Sequence, residues 1–511
     1  MMDATLPRKF HWEDQKLARL RVAMLASRPL LVLGLTASLS FAIYVFLLAQ
    51  PLNLFEYLPH GRLDGVYIYR DKPFNQVRLL IAFLLLSGLY LWGWLAAQKA
   101  QGRRAWLIIT GGALACGGVL LFMAPFDAAD IYDNIMHARI LGVYGGDPYL
   151  QTGKDYRSDP FYRYMAWKTS PSAYGPGWEY PAAATARLAG DDLVANVLAF
   201  KLLPGFFWLA SLGLVGIYQR RVAPDQALGS VYLLAWNPTV LYSTWGNGHN
   251  DITMVFWILL ATWMMARRHY TATFLAILGG ALVKYVPLLI LPAGGWIVWS
   301  ELEDKRGRAR FIILTTIASL TLVCLAYYPI WAGPQTLTIE RRSQLFTSSI
   351  PAVLFNVLKN GSNQKPVAHA ISLVAAGITG SFALWRGWRA RLERPPESLP
   401  RAGFDILTFY LLLTCLWFQQ WYTIWIVGLA AVLSPGYRRR FAVFFSLAAL
   451  SKQFLTGPLI FRPRPLLPQP ELEIVFTLGV LGLPWLYWLA AYWTSRRAEV
   501  HRLVPISEIE S

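Results

Sequence analysis

Long apolar runs recur along almost the whole chain and constrain its fold more than any other feature of the sequence. They lie at roughly 30–50, 78–98, 105–125, 193–218, 225–246, 251–266, 271–300, 311–331, 366–385, 402–436, 440–460 and 471–494. About 20 apolar residues span a bilayer as a helix, and a helix satisfies all of its own backbone hydrogen bonds in lipid. The sequence therefore predicts an all-α, polytopic integral membrane protein and excludes a soluble globular core.

Two of the runs are long enough to hold two short helices each. Residues 271–300 are interrupted by Lys284, and residues 402–436 by Gln419 and Gln420. Positive charge flanks each run at both ends, which favours a reversal inside the run. We therefore predict about 14 transmembrane helices, or about 11 to 13 if either run is a single tilted or re-entrant segment.

Short turns rich in Lys and Arg set the predicted orientation. They lie at residues 99–104, 220–221, 267–268, 305–310, 386–394, 438–440 and 496–497. Because cytoplasmic loops carry an excess of Lys and Arg, these turns are expected on the cytoplasmic side. The formal net charge of +18 thus reflects topology, and no nucleic-acid partner is expected.

The predicted organisation has three parts, with both chain termini in the cytoplasm. A partly amphipathic cytoplasmic lead-in occupies 1–29, a transmembrane domain 30–494 and a cytoplasmic tail 495–511. Within the domain, residues 126–192 form a long loop on the opposite, outer face. The loop is rich in Tyr, Pro, Gly, Asp and Trp, so we expect short interfacial helices rather than a disordered linker. Three cysteines lie inside apolar runs and are expected to be packing residues: Cys116, Cys324 and Cys415.

Three carboxylates open the outer loop, in the stretch FDAADIYDNIMHARILGVYGGDPYL. Asp127, Asp130 and Asp133 follow one another at intervals of three residues, which places them on one helical face. Asp127 is suited to cap a helix that begins at the membrane surface, and Asp133 to a solvated surface position. A carboxylate at the lipid–water boundary has a raised pKa through desolvation and can act as a general base. Asp130 is the candidate for that base.

The stretch DIYDNIMHARILGVYGGDPY resembles the first outer-loop motif of the bacterial polyprenol-phosphate-mannose-dependent mannosyltransferases of the GT-C superfamily. Four further stretches match that family in order: SAYGPGW (172–178), WNPTVLY followed by GNGHND (236–251), ALVKYVP (281–287) and QQWYTIW (419–425). The resemblance covers roughly residues 100–435. His137-Ala138 stands where the family has Gln-Gly, and Gln419-Gln420 where it tends to have Pro; these departures concern the acceptor more than the reaction.

The resemblance implies a GT-C-like helical bundle with a large catalytic first outer loop. It implies the transfer of a hexose, mannose in this family, from a polyprenyl phosphate to a lipid-linked or cell-envelope glycan on the extracytoplasmic face. Asp130 matches the aspartate that activates the acceptor hydroxyl for inverting attack at the anomeric carbon. Neither a metal nor another cofactor is expected, since the polyprenyl-phosphate sugar is a co-substrate. The partners implied are this donor, the glycan acceptor and the bilayer.

Several polar residues are candidates for binding donor or acceptor. His249, Asn250 and Asp251 either contact the donor phosphate or acceptor hydroxyls, or form a helix cap and turn. Lys284 lies inside an apolar run, where an ionisable side chain is expected to be functional unless it snorkels to the interface. Asp133, one turn from Asp130, is a candidate for orienting the acceptor or tuning the Asp130 pKa.

Arginines and aromatic residues complete the set of candidates. Arg139 is expected to contact the phosphate or to anchor the loop at the interface. Arg341 and Arg342 on the outer side are placed near the donor phosphate or beside lipid head groups. The aromatic residues suited to stack on sugars are Tyr174, Trp178, Trp421 and Tyr422.

Two other functions are compatible with many helices and an outer loop. One is a glycan ligase or polymerase that uses a polyprenyl diphosphate donor. The other is a glycolipid transporter, which would show matched broken helices in two halves of the chain. The polar chemistry is instead concentrated in one asymmetric loop, which favours the glycosyltransferase.

Overall fold

A computed structural model describes residues 28–61, 73–337, 344–393, 395–460 and 467–503. The predicted lead-in lies outside these residues except for its last two positions. The predicted tail is described as far as Leu503, where it continues the last helix. Arg341 and Arg342 lie outside the described residues.

The secondary structure of the described residues is helical, and no strand forms among them. Helices of eight residues or more are numbered here in chain order. They are α1 (Arg28–Ala49), α2 (Pro73–Ala97), α3 (Gly102–Leu121), α4 (Asp130–Gly142), α5 (Pro176–Ala189), α6 (Leu193–Val222), α7 (Ala227–Ala235), α8 (Asp251–Ala266), α9 (Tyr270–Ala281), α10 (Leu291–Glu301), α11 (Lys305–Tyr327), α12 (Ile350–Leu358), α13 (Gln364–Ala390), α14 (Ser398–Phe409), α15 (Thr423–Ala431), α16 (Tyr437–Ala449), α17 (Ser451–Ile460) and α18 (Glu471–Leu503).

Seven helices among the described residues are long and apolar enough to cross a membrane. They are α1, α2, α3, α6, α13, the first part of α18, and the helix Lys305–Ile330, which contains α11. Shorter apolar helices, such as α8 and α9, pack among them. The all-α membrane fold is confirmed, while the number of crossings stays a prediction.

Both long runs reverse as the sequence predicts. Helix α9 ends at Ala281, a short 3₁₀ helix follows the break, and α10 returns so that Glu301 accepts a 2.5 Å hydrogen bond from the hydroxyl of Tyr270 at the start of α9. Helix α14 is likewise followed by a break and by α15, after which Ser434 donates to Glu397 at 2.5 Å. Each run is therefore a helical hairpin whose tip carries its polar residues.

The outer loop folds into short helices, as predicted. It contains α4, two 3₁₀ helices at Gly153–Tyr156 and Tyr162–Tyr164, and α5. Helix α4 is buried over most of its length and packs against α5 and α6.

The segment that leads into α5 docks onto the tip of the α9–α10 hairpin. The backbone N–H groups of Gly175 and Gly177 donate to the carbonyl oxygens of Val283 and Leu282, at 3.1 and 2.9 Å. A Cβ at Gly175 would clash with the Leu282 carbonyl oxygen, so the close approach requires glycine. The motif SAYGPGW thereby fixes the outer loop over the break that carries Lys284.

Candidate active site

Four irregular segments meet at the end of the bundle that carries the outer loop. They lie at 122–129, 247–250, 282–285 and 415–422. Irregular backbone in a membrane protein is tolerated where it is buried in protein or lines a cavity, so such a convergence marks a candidate site. Asn247 joins the first two segments, because its side-chain oxygen accepts from the N–H groups of Phe126 and Asp127, each at 3.1 Å. Gly248, at φ +70°, turns the chain toward α8 against Ile131 of α4.

Asp127 does not cap a helix, so the predicted capping role is wrong. Helix α4 begins at Asp130, and its N-cap residue is Ala129. The buried Asp127 carboxylate instead accepts hydrogen bonds from the side-chain amides of Gln420, at 2.5 Å, and Gln453. Burial raises the pKa of Asp127 to about 7, although the two amides oppose the shift.

Asp130 is the first residue of α4, and its side chain is 28% exposed. Its carboxylate accepts no hydrogen bond from the described part of the chain, and its Oδ2 lies 4.0 Å from Nδ1 of His249. Desolvation raises the pKa of Asp130 to about 6; the charges of Lys284 and Lys452 oppose this shift, and that of Asp251 adds to it.

Asp133 is buried rather than solvated. Its carboxylate accepts from the backbone N–H of Trp167 at 2.9 Å and of Ala166 at 3.4 Å. These contacts fasten the segment that contains Ala166 and Trp167 to α4. The side chain therefore has partners within the protein that account for its burial.

Arg139 is also buried, with 1% of its side chain exposed. It donates to Asp159 at 2.7 Å, to the Gly190 carbonyl at 2.6 Å and to Asp191 at 2.6 Å. Its guanidinium also lies over the ring of Phe161. Arg139 thus joins the two ends of the outer loop, and we assign it this role in place of phosphate binding or interfacial anchoring.

His249 is stacked on Trp421, with ring centroids 3.7 Å apart and an interplanar angle of 17°. Its Nε2 lies 3.9 Å from Oδ2 of Asp127, so the ring stands between Asp127 and Asp130. Burial and the charge of Lys284 lower the pKa of His249 well below its ordinary value. The imidazole is therefore neutral at physiological pH.

The adjacent Asn250 occupies the N-cap position of α8 but makes no side-chain capping bond. Neither polar atom of its buried amide has a hydrogen-bond partner among the described residues. A capping role does not explain this side chain. Buried polar groups are normally satisfied, so an unmatched one is a candidate for contact with a ligand.

Lys284 and Asp251 form a buried ion pair with 2.7 Å between Nζ and Oδ2. Trp425 donates to the other carboxylate oxygen of Asp251 at 2.6 Å. The Lys284 ammonium also lies 5.2 Å from the ring centroids of both Tyr174 and Tyr422. With 11% of its side chain exposed, Lys284 points into the site rather than snorkelling to an interface.

Trp178, another predicted sugar-stacking residue, is fully buried and packs edge-on against Tyr174 and Phe200. It is a core residue. The structure therefore gathers Asp130, His249, Asn250, Asp251, Lys284, Tyr174, Trp421 and Tyr422 into one cluster. Within the described ranges, no group of three or more His, Cys, Asp and Glu side chains has the arrangement of a metal site.

Sequence reasoning missed two buried lysines that support the cluster. Lys452 Nζ donates to the Phe418 carbonyl and to the Gln419 side chain, both at 2.6 Å. Lys201 Nζ donates to the carbonyls at the end of α3, at 3.2 and 3.1 Å to Leu120 and Leu121. Both lie in apolar runs, so the rule that singled out Lys284 would also have found them.

Comparison with known proteins identifies the family of the chain. The family model described as "Alpha-(1->6)-mannopyranosyltransferase, N-terminal domain" matches residues 31–300, which is more than half of the chain. A curated protein of Corynebacterium glutamicum, "Alpha-(1->6)-mannopyranosyltransferase A", is 25% identical over 194 residues, or 37% of this chain. The chain spans 38% of the length of that relative. The chain belongs to the alpha-(1->6)-mannopyranosyltransferase family.

Proposed function

We propose that the protein transfers mannose from a polyprenyl monophosphate to a glycan acceptor, with Asp130 as the general base. The family and the relative's name support a mannosyl donor. The donor carrier and the acceptor class are those that the resemblance to the polyprenol-phosphate-mannose-dependent enzymes implies, and the chemistry of the cluster supports the role of Asp130. The proposed acceptor is a lipid-linked or cell-envelope glycan.

The free carboxylate of Asp130 is the observation that carries this proposal. Asp127 is held by two amides and Asp133 by two backbone N–H groups, whereas Asp130 is partly exposed and accepts no hydrogen bond from the described residues. A general base must be ionised and able to reach the proton that it removes. With a pKa of about 6, Asp130 is ionised near neutral pH and is more basic than an ordinary aspartate.

Lys284 is the proposed partner of the donor phosphate. Its ammonium is fixed by Asp251 and by two tyrosine rings, so it is placed before the substrate arrives. A positioned cation stabilises the negative charge that develops on a leaving phosphate. The rings of Tyr174 and Tyr422 beside it supply flat surfaces on which a sugar stacks.

The proposed site faces the extracytoplasmic side. Helix α8 begins beside the cluster at Asp251 and ends before the basic pair Arg267–Arg268. Helix α6 likewise runs from the outer loop to Arg220 and Arg221. The cluster and the basic turns thus lie at opposite ends of the helices, and the excess of Lys and Arg on cytoplasmic loops supports the outer face for the site.

A donor panel tests this proposal. Membranes that contain the wild-type protein are supplied with mannose radiolabelled on a polyprenyl monophosphate or on a polyprenyl diphosphate, and transfer to membrane glycolipids is measured. We expect transfer from the monophosphate alone, and a loss of roughly 100-fold or more in Asp130→Asn, as for removal of a positioned base.

The matched control is Asp155→Asn, an exposed aspartate of the same loop, which should transfer label like the wild type. Preferential use of the diphosphate would replace the proposal with a ligase or polymerase. Normal turnover in Asp130→Asn would remove its catalytic role.

A further inference from the structure

We propose that His249 passes the proton collected by Asp130 on to Asp127, so that these three side chains form a proton relay. The inference rests on the proposed function, because it gives a destination to the proton that leaves the acceptor hydroxyl. It assigns a chemical role to Asp127 and separates His249 from phosphate binding.

The position of the imidazole carries the inference. Its two nitrogens face the two carboxylates at nearly equal distances, 4.0 Å from Nδ1 to Asp130 and 3.9 Å from Nε2 to Asp127. Trp421 stacks on the ring and fixes its plane. The buried Nε2 has no hydrogen-bond partner within the described residues. Each contact is about 1 Å longer than a hydrogen bond, so the relay requires the ring and each carboxylate to approach by that distance during turnover.

Asp127 is suited to hold the transferred proton. It is buried beneath the ring, and two amide donors fix both of its oxygens. Burial raises the pKa of Asp127 to about 7, so this carboxylate holds a proton far more readily than an ordinary aspartate does. Because Asp127 is buried, substrate would meet Asp130 first.

The charged groups around the ring keep it in the form that a relay requires. Lys284, at the tip of the α9–α10 hairpin, acts on the ring and on Asp130, whereas Asp251 at the start of α8 acts on Asp130 and Lys452 of α17 on both Asp130 and Asp127. Burial and the Lys284 charge lower the pKa of His249, so the ring is neutral. A neutral imidazole has one protonated and one free nitrogen, and it can accept a proton on one side while it releases the other.

The acceptor oxygen forms a bond to the anomeric carbon, the bond from that carbon to the phosphate oxygen breaks, and its electron pair leaves with the phosphate. Asp130 takes the hydroxyl proton and delivers it to Nδ1 of His249, while Nε2 gives its proton to Asp127. After product release, the same transfers in reverse return the proton through Asp130 to solvent.

The pH dependence of turnover in Asp127→Asn and His249→Phe tests the relay. Asparagine keeps the shape of aspartate, and phenylalanine keeps a ring on Trp421 without nitrogens. At saturating donor and acceptor, each variant should lose on the order of 10-fold in turnover near pH 8, where Asp127 is ionised and can accept the proton. The loss should shrink to about 2-fold near pH 6, where Asp127, with its pKa of about 7, is mostly protonated in the wild type and the relay is closed. The double variant should be no slower than the slower single variant, because both changes interrupt the same path.

Losses that are equal at both pH values, or that multiply in the double variant, would overturn the relay. The amount of each variant in membranes and its thermal unfolding midpoint serve as folding controls. If His249→Phe does not fold, the near-isosteric Asp127→Asn decides through its own pH profile. Asp130→Asn separates the two proposals: normal turnover refutes the proposed function, whereas an inactive Asp130→Asn beside pH-independent losses refutes the relay alone.

Discussion

At the scale of single residues, the buried charge of Lys284 in the candidate site is paired with an opposite charge. The cation of Lys284 and the carboxylate of Asp251 lie 2.7 Å apart in a largely desolvated setting. Removing one member of a buried ion pair is strongly destabilising, because the other charge is left without a partner. The ion pair therefore ties the proposed phosphate contact to the stability of the helix ends that carry it.

Lys284→Met should weaken donor use, since methionine keeps most of the side-chain length but removes the cation. A hydrogen bond to a charged group contributes about 1.5–3 kcal/mol, so KM for the donor should rise about 10- to 100-fold. Lys284→Arg, which keeps the charge, should stay closer to the wild type. Steady-state transfer at varied donor concentration measures the effect.

The double variant Lys284→Met with Asp251→Asn separates stability from donor binding. It removes both charges of the pair, so it should recover the thermal stability that Lys284→Met loses. Its donor KM should remain high. Recovery of a wild-type donor KM in this variant would show that Lys284 serves only to neutralise Asp251.

At the scale of elements, two sets of hydrogen bonds hold the outer loop and α6 against the rest of the bundle. Gly175 and Gly177 donate to the carbonyls of the break after α9, and Lys201 of α6 donates to the carbonyls that end α3. These bonds satisfy backbone groups that the helix ends leave unpaired. They also hold the segments that lead to Tyr174, which precedes Gly175, and to Asp127, since Lys201 donates to the Met123 carbonyl as well.

Gly175→Ala should therefore lower both stability and donor use. The added Cβ clashes with the Leu282 carbonyl oxygen and displaces the hairpin tip that carries Lys284. Overpacking of this kind costs about 1–3 kcal/mol, which should appear as a lower thermal unfolding midpoint in detergent. Gly118→Ala in α3 is the matched control, because a Cβ there meets open space. Equal midpoints for the two variants would contradict the proposed docking of the loop.

At the scale of the whole molecule, the chain has one polar end with the outer loop and one end with the basic turns. Arg386, Glu393, Asp405 and Arg438 form an ion-pair network at the second end, far along the helices from the cluster. An asymmetric distribution of Lys and Arg orients a membrane protein during insertion. The two ends should thus face different compartments.

Cysteine labelling tests this orientation. Ser158 lies in the outer loop and Arg306 at the basic N-terminal end of α11, and both are exposed. In a background in which the exposed Cys324 is replaced by serine, Ser158→Cys should react with an impermeant maleimide on intact cells. Arg306→Cys should react only after permeabilisation. Reaction of both cysteines on intact cells would contradict the assignment of the site to the outer face.

The sequence by itself determined the class of fold, because hydrophobic runs report burial in lipid position by position. It also located both helical hairpins, through the polar residues at their tips, and the short helices of the outer loop. The motif match identified the mannosyltransferase family, which the comparisons confirm. These are local properties, and each can be read within a window of some 20 residues.

Only the tertiary structure decided which polar side chains lie together in the candidate site and which form hydrogen bonds elsewhere in the protein. Asp127 accepts a hydrogen bond from Gln453, which lies 326 positions away in the sequence. The residue expected to cap a helix is therefore a buried hydrogen-bond acceptor. Arg139 has a phosphate binder's chemistry but is satisfied within the loop. Periodicity shows that a side chain is buried, but its partner depends on how distant helices pack, and no local pattern encodes that.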